Sequence, residues 1–85
     1  MNPVERKNYR VVESFENEAR NRCVDIVVHD NARHGFQEWR REPEDPGNWF
    51  LMCDDSGMGY ATAAEAIAAA SLRVAWFTGH HEAHR

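Results

Sequence analysis

Five histidines, two cysteines and one Trp-Arg-Arg run hold most of the chemical potential of this 85-residue sequence. His80, His81 and His84 form a His-His-x-x-His run, and on a helix His80 and His84 would share a face, as zinc or nickel ligands do. Gly79 precedes them, however, and His81-Glu82-Ala83-His84 is one residue short of the metalloprotease spacing. A metal-responsive tail is thus set against a plainer reading, a frayed polar end. Cys23, His29, His34 and Cys53 supply four zinc-type donors but lack the close cysteine pair that preorganises such sites, so two packed thiols and two turn histidines are the simpler expectation. Ser56 stands in Asp-Asp-Ser-Gly without a nucleophile elbow, and Gly57-Met58-Gly59 lacks the third glycine of a dinucleotide loop. Glu42, Glu44, Asp45, Asp54 and Asp55 gather on two turns without the alternation of a calcium loop. No catalytic residue and no cofactor is expected, and the chain reads as a non-enzyme.

The basic residues offer a second chemistry. Arg33, Trp39, Arg40 and Arg41 combine guanidinium groups with an indole, the pairing that holds phosphate and stacks on bases. Glu38 and Glu42 bracket the run, so cross-strand ion pairs compete with that reading. Ten Lys and Arg against 14 Asp and Glu give a formal charge of −4, which argues against a simple binder of nucleic acid or anionic membrane. The charge is uneven: residues 1–41 hold eight basic and seven acidic side chains, and the remainder holds two and seven. Nucleic-acid or phosphate binding through this strand is the alternative to protein interaction.

The elements that must position these groups follow from period and punctuation. One domain fits the length, with a modest core. Leu, Ile, Val and Phe total only 15 residues, but nine aromatics supply bulk. Residues 11–16 alternate loosely as a short strand. Arg22 to His29 is the cleanest strand, with Val24, Ile26 and Val28 on one side and Cys23, Asp25, Val27 and His29 on the other. Asp30 to Gly35 turns the chain, with Asn31 and Gly35 as natural carriers of positive φ. Residues 35–41 form the next strand, where Phe36 and Trp39 have opposite parity, so either both faces are covered or a bulge intervenes. Glu42 to Asn48 is a connector because two prolines remove ladder donors. Trp49 to Cys53, apolar throughout, reads as a strand covered on both sides or central in the sheet. Gly59-Tyr60-Ala61 is a candidate last strand.

Thr62-Ala63-Ala64-Glu65 is a capping box, and alanine carries the following helix for about 15 residues or ~22 Å. Ile67, Ala70, Val74 and Phe77 make one stripe, which Ala64, Ala68, Leu72 and Trp76 widen. The expected fold is α+β, an antiparallel sheet of three to four strands with one C-terminal helix packed on one face. Residues 1–10 are expected to be a flexible lead, 11–78 the domain and 79–85 a flexible histidine-containing tail. With no apolar run near ~18 residues and no apolar leader, a soluble cytoplasmic protein with reduced thiols is expected.

Tyr60-Ala61-Thr62-x-x-Glu65-Ala66, Asn48-Trp49-Phe50 and Gly35-Phe36-x-x-x-Arg40-Arg41-x-Pro43-Glu44-Asp45 resemble short bacterial proteins built as a strand meander followed by one helix, a family of unknown function. The resemblance spans residues 24–77 and implies a fold, with no activity and no site residue. From the residues themselves, the leading function is a non-enzymatic interaction module that pairs with itself or another protein. Its apolar surplus is expected around Ala68, Leu72, Trp76 and the sheet.

Overall fold

The computed structural model describes residues 9–77. Four strands, β1 (Tyr9–Glu16), β2 (Arg22–His29), β3 (His34–Glu42) and β4 (Asp45–Asp54), precede a helix, α1 (Ala63–Arg73), and a 3₁₀ turn at Ala75–Phe77. The strands lie in the order β1-β2-β3-β4, every neighbouring pair antiparallel, so the fold is α+β with one C-terminal helix. No helix among the described residues is long and apolar enough to cross a membrane.

Period-two alternation assigns the faces. Phe15 lies opposite Val24, Val24 opposite Glu38, and Ile26 opposite Phe36, placing these side chains in rows on one side of the sheet. Phe15, Val24, Ile26 and Phe36 are buried there against Ala66, Ala70, Val74 and Phe77. Alanine at 66 and 70 lets the helix backbone approach the sheet closely. The opposite row runs Glu16, Cys23, Trp39, Leu51 and, one step along, Ser14, Asp25, Gln37, Asp54. Among the described residues this second face, the open face, carries no helix. The strands from Val28 to Arg22 and from His34 to Arg40 pair without a register shift, so Phe36 and Trp39 differ in parity because both faces are partly covered. Val27 is fully buried on the open-face parity, whereas Val28, assigned to the inner row by alternation, is only half-buried.

Several expectations require correction. Trp49 to Cys53 is neither central nor covered on both sides. It belongs to the outermost strand, and Phe50, Leu51 and Met52 are exposed. Asp45 to Asn48, expected in a connector, begins β4. Pro46 is tolerated because an edge strand can leave one side of its ladder unpaired. Tyr60 makes a single bridge to His34 and no strand. β1 starts at Tyr9, two residues before the strand expected from Val11. The left-handed residue of the β2–β3 turn is Ala32 (φ 71°), and Asn31 instead accepts the Arg33 N–H through Oδ1 at 2.9 Å.

The helix is shorter than its alanine content suggests. Thr62 Oγ1 accepts the Glu65 N–H at 3.1 Å, and Glu65 Oε1 accepts the Ala61 N–H at 3.1 Å, so the capping box fixes the start. At Val74 the backbone becomes extended while its N–H still donates to the Ala70 carbonyl, ending α1 after 11 residues. At 1.5 Å per residue the helix spans ~16 Å, against ~33 Å for a ten-residue strand, so part of the inner sheet face extends beyond it. The widened stripe is also revised: Ala64, Ala68 and Leu72 face solvent, and Ala66 takes a core position that the stripe missed.

Candidate functional site

The basic residues do not converge. Arg33 sits at the β2–β3 turn, seven positions along β3 from Arg40, or ~23 Å of extended chain. Its Nη1 reaches the Gly59 carbonyl at 3.4 Å. Arg40 shares the inner-face parity, pairs with Glu42 and stacks on Phe50 with its guanidinium carbon 5.7 Å from the ring centre. Arg41 donates to the Arg20 carbonyl at 2.8 Å and the Pro46 carbonyl at 3.1 Å, and lies 4.6 Å from the centre of the Trp49 ring. These contacts tie the β3–β4 hairpin to the β1–β2 turn and occupy the guanidinium groups that a phosphate would need.

The other candidate groups separate as well. Cys23 has open-face parity on β2, whereas Cys53 lies opposite Glu38 on the inner side of β4, with β3 between them. Both are free, and this placement on opposite faces precludes a disulfide in the fold. Among the described residues no group of three His, Cys, Asp or Glu side chains is placed to hold a metal ion. His80, His81 and His84 lie outside the described residues. Ala68 and Leu72 project from the solvent side of α1, Leu72 being 88% exposed. Trp76 stands apart from them, half-buried in the 3₁₀ turn, with its Nε1–H donating to Glu38 Oε2 at 3.1 Å. Arg22 Nη1 meets the same oxygen at 3.3 Å, so Glu38 joins the C-terminal turn to β2.

The structure gathers two features that period and spacing did not select. The first is a groove on the open face, about 370 Å³, lined by Ser14, Glu16, Cys23, Asp25, Trp39 and Trp49. Each strand contributes, because the registers bring Ser14 opposite Asp25, Glu16 opposite Cys23 and Cys23 in turn opposite Trp39. Asp25 Oδ1 accepts from the Ser14 hydroxyl at 2.8 Å and from the Cys23 thiol at 3.2 Å. Burial pushes the Cys23 pKa up to about 12, the Ser14 hydroxyl opposes this, and the Asp25 and Glu16 carboxylates add to the rise. A thiol so strongly held in its protonated form is a poor nucleophile and a poor metal ligand. Trp39 Nε1 is buried with no hydrogen-bond acceptor.

No family model matches this chain, and neither the curated proteins nor the solved structures give a match.

The second feature is the outer edge of β4. Phe50, Leu51 and Met52 are 45%, 47% and 45% exposed on a strand that, among the described residues, pairs only on its β3 side. Phe50 lies opposite Arg40 and Leu51 opposite Trp39, so the two side chains leave opposite faces of the sheet, and the register shift beside Leu51 sets Met52 in a bulge. Beyond β4 the chain folds back over β3. The Asp55 N–H donates to the Phe36 carbonyl at 2.9 Å, Arg73 pairs with Asp55 at 2.9 Å, and His29 Nε2–H donates to the Ser56 carbonyl. Gln37 Nε2 links Tyr9 Oη at 3.1 Å to this corner, where hydrogen bonds from Ser56 lower the Asp54 pKa despite partial burial. A wider cleft of about 470 Å³ at that end is lined by turn residues, among them Asp30 and Arg33, whose opposite charges offer no net preference.

Proposed function

We propose that the protein is a non-enzymatic interaction module whose working surface is the free edge of β4, and that the strand it accepts is β4 of a second copy. The observation that carries this reading is the exposure of Phe50, Leu51 and Met52 on an edge that no described residue pairs. Because Phe50 and Leu51 point to opposite faces, a partner docked on either face covers only one of them. A strand added alongside covers both and satisfies the outward backbone groups.

The sequence of β4 suits pairing with itself. About a two-fold axis at Leu51, an antiparallel pair sets Leu51 against its own copy, Phe50 against Met52 of the second copy, and Asn48 against Asp54. An axis between Trp49 and Phe50 would instead oppose Asp45 and Asp54, a like-charge pair. Pro46 cannot donate to a new ladder and lies outside the favoured register. Two free thiols on opposite faces fit the cytoplasmic setting suggested by the sequence.

Light scattering over a concentration series tests the reading. The wild-type mass should rise from 9.8 kDa toward twice that value. Leu51→Lys, which places a charge on the edge, should hold the protein monomeric, and Leu72→Glu on the helix should leave the association intact. A mass that stays at the monomer value, or dissociation by Leu72→Glu alone, would overturn it.

A further inference from the structure

From the open-face groove we infer that the module binds an arginine side chain presented by a protein partner, between the indoles of Trp39 and Trp49 and the carboxylates of Glu16 and Asp25. The inference does not rest on edge pairing: the groove shares Trp49 with β4, but its carboxylates come from β1 and β2, away from that margin.

The groove has the size of a small-ligand site and two chemically distinct sets of walls. Its volume of about 370 Å³ exceeds what one guanidinium needs and accommodates the aliphatic stem as well. Carboxylates come from β1 and β2, and indoles from β3 and β4. Among the described residues neither Glu16 nor Asp25 has an ion-pair partner. Asp25 uses only Oδ1 in its bonds to Ser14 and Cys23, leaving Oδ2 as an acceptor. The charge complement is therefore a cation. The effect of Asp25 and Glu16 on the Cys23 thiol reports the same negative potential from within the groove.

The indoles narrow the cation to a planar one. Guanidinium stacks on aromatic faces and presents a fork of donors to carboxylates, whereas an ammonium is a hydrated point charge. This molecule already contains such a stack, Arg41 on Trp49 at 4.6 Å. Arg41 is itself outside the groove lining and is held by two backbone carbonyls, so it leaves the carboxylates uncompensated.

The probe is Nα-acetyl-arginine amide, followed by the indole N–H resonances of the three tryptophans, with the citrulline counterpart as its neutral isostere. Saturable shifts of the Trp39 and Trp49 signals, with Trp76 unmoved and citrulline inert, are expected. Glu16→Gln with Asp25→Asn should weaken binding at least about tenfold while the Trp76 signal reports an intact fold. Phe50→Lys, which charges the same edge from the face opposite the groove, should bind as wild type, so loss of edge pairing and loss of groove binding are read separately. Absence of saturable shifts, an equal response to citrulline, or equal binding of guanidinium ion alone would overturn the assignment.

Discussion

Cys23 lies between Glu16 and Trp39 in the open-face row, and its thiol converges with the Ser14 hydroxyl on one oxygen of Asp25. Burial is the main reason that its pKa rises to about 12 from 9.0. The native state therefore holds this proton more tightly than the unfolded chain. The resulting stability is complete below pH 9.0 and is lost as pH rises toward about 12. Burial raises Cys53 and Tyr60 too, and both act in the same direction. The urea midpoint should accordingly fall between about pH 8 and 10.5, and Cys23→Ala should reduce that fall. A midpoint level across this range would contradict the assignment. Gly35 is a residue-scale constraint of another kind. A Cβ there would stand 2.7 Å from the Asp55 carbonyl oxygen and closer still to the Ser56 backbone. Gly35→Ala should cost about 1–3 kcal/mol through overpacking, read as a lowered denaturation midpoint. Positive φ was the expected use of this glycine; close backbone approach is the actual one, and that depends on a loop 20 residues away in sequence.

At the scale of elements, the helix start was legible because it is local: Thr62 accepts the Glu65 N–H as expected, and the Glu65 carboxylate returns to the Ala61 N–H, one residue before the cap. Thr62→Ala should cost about 1 kcal/mol and lower helical content by circular dichroism, with no change expected in the strands. Unchanged stability would mean that tertiary packing alone fixes the helix start. The β2 alternation was legible for the same reason, and it places Val24 and Ile26 in the core. The helix end was less legible, since alanine propensity continues through Ala75 and only the docking of Val74 and Phe77 onto Phe15 and its neighbours turns the chain. β4 was misplaced because a wholly apolar run specifies burial without saying by what. Trp49 and Phe50 stack with Arg41 and Arg40, while Phe50, Leu51 and Met52 remain open at the margin. The groove could be assembled only from registers, because Ser14, Asp25, Trp39 and Trp49 are distant in sequence.

Among the described residues, one short helix lies against a four-stranded sheet whose outer strands are each paired on one side and whose second face carries no helix. The −4 charge allows association, because β4 contributes only Asp45 and Asp54 and the favoured register keeps them apart. Edge pairing would join two sheets into one of eight strands, leaving the groove of each copy accessible on the open face. Amide hydrogen exchange along β4, followed as a function of protein concentration, reads the pairing at the backbone itself. The outward-facing amides between Asn48 and Asp54 should gain protection as concentration rises, and Leu51→Lys should abolish that gain. Exchange at those amides that is fast and independent of concentration would contradict the β4 edge as the working surface.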